Sequence, residues 1–232
     1  VIQLTALDRY QTTAQAASAL GVSTEQVREL IRGGKLRAVK VGREALVDSA
    51  SVRHRAHVLR PQPGRPLSPR MAWAVLWMAS ARDPGWVSAA EKTRARKYLA
   101  RHRAEDWPRL LAQRADLHVG RMLTPQLAKL RDRAGVVSSG ISAISAYGPA
   151  LLPTELESEF YLPPALFDEL VHTRRIMLDT DKPNVLLRVP RICIDIFERE
   201  QVAPRAVVAA DLLDSGDERQ TRAAHDLLSR TY

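Results

Sequence analysis

The sequence is nearly without cysteine. Cys193 stands alone among 232 residues, so an internal disulfide and a multi-thiolate zinc site are both excluded, and the expectation is a cytoplasmic protein. No apolar run reaches the roughly 18 residues of a membrane span. The run from Met71 to Ala81 fits a buried helix instead, and no membrane partner is expected. No secretory leader is recognisable at the start. A Gly-rich phosphate loop, a Gly-x-Ser-x-Gly elbow and a Cys/His nucleophile set are also missing. His54 and His57 lie three apart without further ligands near them in sequence, so neither a metal nor a cofactor is expected. Lysine is scarce, with 6 residues against 29 arginines, a ratio that a GC-rich genome produces by itself.

Carboxylates are the one class present in enough density to raise catalysis. Asp179, Asp181, Asp211, Asp214, Asp217, Glu218 and Asp226 crowd the last third, and a nuclease needs several such groups on one divalent metal. Asp179 and Asp181, however, adjoin Lys182-Pro183-Asn184 and read as turn formers, and Asp217 is placed to cap a helix. No catalytic residue is assigned, and the chain is read as a non-enzyme.

Charge is segregated along the sequence. Residues 1–65 carry a net +6 and residues 66–150 a net +8, whereas residues 151–232 carry −5. A cationic front favours a polyanionic partner.

Within that front, the stretch from Thr12 to Arg43 has a definite grammar. Thr12-x-x-Gln15 and Ser23-x-x-Gln26 are both capping boxes, and Val22 with Val27 fits a hydrophobic staple. Gly21 ends the first helix and re-aims the chain into the second. Ala14, Ala17 and Leu20 are expected to face Val27, Leu30 and Ile31. On the second helix Thr24, Arg28 and Arg32 fall at i, i+4, i+8 and form one stripe suited to phosphates or guanine edges, with Glu25 and Glu29 pointing elsewhere on the wheel, to orient Arg32 or to accept from a cytosine amine. A basic ribbon follows, Lys35 to Val47, turning at Gly42-Arg43, and then a helix from about Asp48 to Arg60. The DNA-facing set is Thr12, Ser23, Thr24, Gln26, Arg28 and Arg32 from the helices, with Lys35, Arg37, Lys40 and Arg43 from the ribbon.

"YQTTAQAASALGVSTEQVRELIRGGKLRAVKVGREALVDSASV" resembles the MerR/excisionase-type winged helix-turn-helix, whose pattern runs from a Thr-led helix through "LGVS" to "GKL" and "VGR". The resemblance implies double-stranded DNA as partner and a homodimer on paired half-sites. Glu44-Ala45-Leu46 departs from the aromatic or arginine that many relatives carry after "VGR", which implies weaker contacts from the wing.

Beyond this module, "RPQPGRPLSPR" reads as a linker, and Ser68-Pro69 caps the helix that opens with the apolar run Met71–Met78; that helix, Met71–Ala81, is a candidate dimer surface. Ser88-x-x-Glu91 opens a helix carrying Lys92, Arg94, Arg96, Lys97, Arg101 and Arg103, read as an exposed face or as a second nucleic-acid contact. Short helices are expected near Pro108–Arg114 and Pro125–Ala134. From Ser138 onward "EFYLP", "RIML", "NVLLRV" and "ICIDIF" read as strands, with a helix at 164–173 and two more after Pro204.

"VVSSGISAISAYG", "NVLLRV" and "VAPRAVVAADLLDSGDERQTRAAHDLL" are similar to the C-terminal regions of bacterial antitoxins, including the AbiEi group. That resemblance implies a repressor of its own operon that also neutralises a toxin, either a PIN-domain ribonuclease or a nucleotidyltransferase-like protein. The alternatives are a nucleic-acid-processing enzyme targeted by the N-terminal module, and a stand-alone excisionase or MerR-like regulator.

The expected fold class is α+β, mostly helical. A winged helix-turn-helix occupies 1–60, a linker 61–70, a helical segment 71–135, and a small α+β partner-binding unit 136–232.

Overall fold

The computed structural model describes residues 10–33, 36–42, 44–49, 51–52, 65–148, 158–178, 180, 183–192, 195–198 and 200–229. The chain divides into two compact units, residues 1–64 with 214–216, and residues 65–213 with 217–232.

The first unit runs β1 (Tyr10–Thr12), α1 (Thr13–Leu20), α2 (Thr24–Arg32), β2 (Ala38–Val41) and β3 (Glu44–Asp48). Its antiparallel sheet has the order β1-β3-β2, with Tyr10 opposite Asp48 and Ala38 opposite Val47. Ala16, Ala17, Leu20, Val27, Leu36, Val47 and Val52 form the core, with Val22, Leu30 and Ile31 packed against it. Ala14, expected inside, is exposed, and Ala16 takes its place. A face centred on 16, 17 and 20 is the one that a helix starting at Thr13 turns toward α2. Residues 49, 51 and 52 are helical. The rest of the helix expected to reach Arg60, His54 and His57 included, lies outside the described residues, as do linker residues 61–64.

The second unit is built on five strands in the order β5-β6-β8-β4-β7. The strands are β4 (Ala115–Arg121), β5 (Val137–Ser138), β6 (Ser158–Tyr161), β7 (Met177–Leu178) and β8 (Val185–Pro190). Strands β6 and β8 pair in parallel, and the other ladders are antiparallel. Its helices are α3 (Pro69–Ala79), α4 (Ala89–Arg101), α5 (Trp107–Leu110), α6 (Thr124–Arg131), α7 (Gly140–Ala143), α8 (Pro164–His172), α9 (Arg205–Asp214) and α10 (Glu218–Ser229).

Both faces of this sheet are covered, because successive side chains of a strand point oppositely. Phe160, Leu162, Val185 and Leu187 join Leu166 and Leu170 of α8 on one side. Tyr161 joins Trp73, Leu76, Phe197, Val207 and Leu212 on the other. Trp73 meets Trp77, Tyr161 and Phe197 edge-on and donates its indole N–H to the Arg114 carbonyl at 2.9 Å.

Four sequence expectations are corrected. Residues 115–121, expected within a helical segment, form β4, which pairs along its length with β8 from beyond residue 136. The expected boundary at 136 therefore divides a single sheet. The apolar helix is not a dimer surface, since Met71 through Trp77 are all buried in the core of their own unit. The end of the expected linker belongs to the fold as well: Leu67 is buried, and its N–H donates to the Leu110 carbonyl at 2.9 Å. Finally, the described residues of "ICIDIF" form no strand. Asp195 Oδ1 accepts the N–H groups of Phe197 and Glu198 at 3.2 and 3.0 Å, a local bond that competes with a ladder.

Candidate nucleic-acid interface

Both capping boxes form. Thr12 Oγ1 accepts from the Gln15 N–H at 3.2 Å while Gln15 Oε1 accepts from the Thr12 N–H at 2.8 Å. Ser23 and Gln26 repeat the exchange at 3.2 and 3.1 Å. Between the helices Gly21 adopts φ 66°, a left-handed turn that costs a side-chain-bearing residue about 1–2 kcal/mol. The side-chain oxygens of Thr12, Ser23 and Gln26 are thereby committed to holding the starts of α1 and α2.

The stripe on α2 is open. Thr24 is exposed at its first position, and the Arg28 and Arg32 side chains are 57% and 68% exposed. Glu25, expected off the stripe but able to orient Arg32, lies beside the stripe and does contact Arg32. Its Oε2 accepts from Arg28 Nη1 at 3.1 Å, and its Oε1 accepts from Arg32 Nη2 at 2.9 Å. One carboxylate thus bridges the two cations. On the helical wheel Glu25 stands about 20° from Arg32 and about 60° from Arg28, at the edge of the same stripe. The readable signal was an acid three residues before one arginine and seven before the other. Exposed pairs of this kind are worth about 0–1 kcal/mol, so a phosphate can displace the carboxylate at small cost.

The ribbon forms the antiparallel hairpin of β2 and β3, turning through Gly42 at φ 63°. Lys40 is exposed, and beside it Val39 and Val41 are 46% and 56% exposed. Arg37 is only half-open: its Nη2 lies 3.3 Å from Oδ2 of buried Asp48, and its backbone N–H donates to Ser51 Oγ at 3.1 Å. That ties Arg37 to the base of the hairpin. Lys35 and Arg43 lie outside the described residues.

The described carboxylates of the last third do not assemble into a metal site. Among the described residues no group of three or more His, Cys, Asp or Glu is arranged to hold a metal; Asp179 and Asp181 lie outside them. Asp211 is buried, and its oxygens are taken by Arg114 Nη2 at 2.7 Å, the Tyr161 hydroxyl at 2.8 Å and the Ser139 hydroxyl. Arg188 stands 3.4 Å from Asp211 and donates from Nε to Glu159 at 2.6 Å. Burial, with Asp211 alongside, drives the Tyr161 phenol far above its ordinary range, so it remains a neutral donor. This is a closed, charge-matched network in the core. Asp217 instead caps α10, accepting from the Arg219 and Gln220 N–H groups at 2.9 and 3.0 Å.

Residues 12–56 match a protein family described as a helix-turn-helix domain. No curated protein and no solved structure matches the chain. The chain therefore carries a helix-turn-helix domain, a DNA-binding module, within its first unit. Among the described residues no helix is long and apolar enough to cross a membrane.

Proposed function

We propose that this chain is a cytoplasmic transcriptional repressor that binds operator DNA as a homodimer. In this reading α2 enters the major groove, Arg28 and Arg32 contact guanine edges or phosphates, and the β2–β3 hairpin serves as a wing with Lys40 on the backbone. The observation that carries it is the exposed arginine stripe on the second helix of a matched helix-turn-helix domain. The second unit is a partner-binding body without chemistry of its own. Its resemblance to antitoxin C-terminal regions makes the partner a cognate toxin, and the closed Asp211 network supports a structural use of the acids there.

Electrophoretic mobility shift on the DNA upstream of its own operon tests the reading. Wild type is expected to shift the fragment. Arg28→Ala with Arg32→Ala is expected to lose about thirtyfold or more in affinity, at about 1–3 kcal/mol per base contact, with unchanged circular dichroism. Equal affinity of variant and wild type overturns it. Co-expression with the neighbouring gene product tests the antitoxin part: relief of growth arrest and co-purification support it, and arrest that persists without a complex removes it.

A further inference from the structure

The solvent face of α4 carries Arg94, Arg96, Lys97 and Arg101, all exposed, and the residues between them on that face are Ala89, Ala90, Thr93 and Ala100. No carboxylate stands among them. Helical spacing puts Arg94 with Lys97 and Lys97 with Arg101 side by side, arrangements that repel by a few tenths of a kcal/mol each. The helix's own acid, Glu91, does not offset this, because Arg70 Nε donates to it at 3.0 Å on the inward side. Lys92, at the edge of the inward face, is matched by Asp83 at 2.6 Å. Among the described residues no acid pairs with any of the four outer cations. The helix dipole compensates Arg101 in the last turn, but Arg94 and Arg96 stand more than a turn from that end.

A bare cationic face of this kind is stabilised by a polyanion. From Arg94 to Arg101 it extends roughly 10 Å, about the rise of three base pairs of duplex. The alanines between the charges let a phosphate backbone approach closely, and no asparagine or glutamine is present to read base edges. We infer that the outer face of α4 is a second DNA contact that grips the phosphate backbone without regard to sequence. The inference rests on the DNA-binding reading above and adds a separate surface in the second unit.

The test is the full chain carrying Arg94→Gln, Arg96→Gln, Lys97→Gln and Arg101→Gln together; glutamine keeps the helix propensity. Affinity is measured across NaCl concentrations for the operator fragment and for a random-sequence duplex, with melting temperature as the folding control. The expected result is a slope of log affinity against log salt shallower by about 0.9 for each phosphate that α4 no longer neutralises, with both DNAs weakened by the same factor. A wild-type slope in the variant overturns the inference and leaves the operator reading intact. If instead Arg28→Ala with Arg32→Ala changes nothing while the α4 variant loses all binding, the operator reading fails and this one stands. Absence of wild-type binding to either duplex at low salt overturns both. A variant that loses only its attachment to phosphatidylserine vesicles, with its DNA slope unchanged, assigns the face to membranes and overturns the inference.

Discussion

In the proposed complex Glu25 sets how much of the α2 charge a duplex meets. It is 62% exposed, stands between two arginines, and lowers the net charge of the trio to a single positive unit. Replacing it with glutamine removes a repulsion toward phosphate and frees both guanidinium groups. Glu25→Gln is therefore expected to raise affinity for random-sequence DNA about three- to tenfold and to raise operator affinity less, because the carboxylate also fixes where the arginines point. Fluorescence anisotropy with both duplexes measures the two changes; equal or reduced affinity for random DNA refutes the role. Gly140 is a second single-residue case. It adopts φ 49°, and a Cβ there would fall 1.7 Å from a Glu159 carboxylate oxygen, the same side chain that pairs with buried Arg188. Gly140→Ala must push that carboxylate away from its partner, at a cost of about 3–5 kcal/mol as for other broken buried pairs. Urea unfolding checks it, and a destabilisation below about 1 kcal/mol shows that the network relaxes around the methyl group.

At the level of elements, what could be read in the sequence followed the range of the forces involved. The starts of α1, α2 and α4 were legible because a capping box closes over three residues, and all three boxes form. Ser23→Ala is accordingly expected to cost about 0.5–2 kcal/mol, detectable as a lower melting temperature of the first unit. On α4 the cap also sets a pH dependence. Arg70, followed by the Ser88 N–H, holds the Glu91 carboxyl down at about 2 against an ordinary 4.5. A depressed folded value means that Glu91 stabilises fully above the ordinary value and that its contribution is lost as pH falls from 4.5 toward 2. The melting-temperature gap between wild type and Glu91→Gln should be open at about pH 6 and close through that window; a constant gap refutes the link. Strand β4 carried a local signal too: in "ADLHVGR" Ala115, Leu117 and Val119 alternate with Asp116 and His118, the period of a half-buried strand, and Val185 to Pro190, about seventy residues away, supply its ladder. Asp211, by contrast, was opaque, since its partners come from 97 and 50 residues away; within its own stretch it is one acid among several.

For the whole molecule, the question is where its stability resides. Among the described residues the first unit's core is seven buried apolar residues, two of them alanine, a small core of the kind that stabilises marginally. The second unit has large clusters on both faces of a five-stranded sheet and a balanced ionic network between its strands and α9. All four tryptophans, Trp73, Trp77, Trp86 and Trp107, lie in the second unit, so indole emission reports on it alone. The charge map drawn from sequence captured a cationic front but not this division, because the basic residues after 65 are spread over a body whose core is closed by the acidic last third. A protein comprising residues 65–232 is therefore expected to fold unaided. It should show blue-shifted tryptophan emission, a single cooperative urea transition, and no preference for operator over random DNA once α2 is removed. Red-shifted emission without a cooperative transition would mean that the sheet and its two cores cannot hold together without the first sixty-four residues. Retained operator preference would move the source of specificity out of the helix-turn-helix and into the second unit.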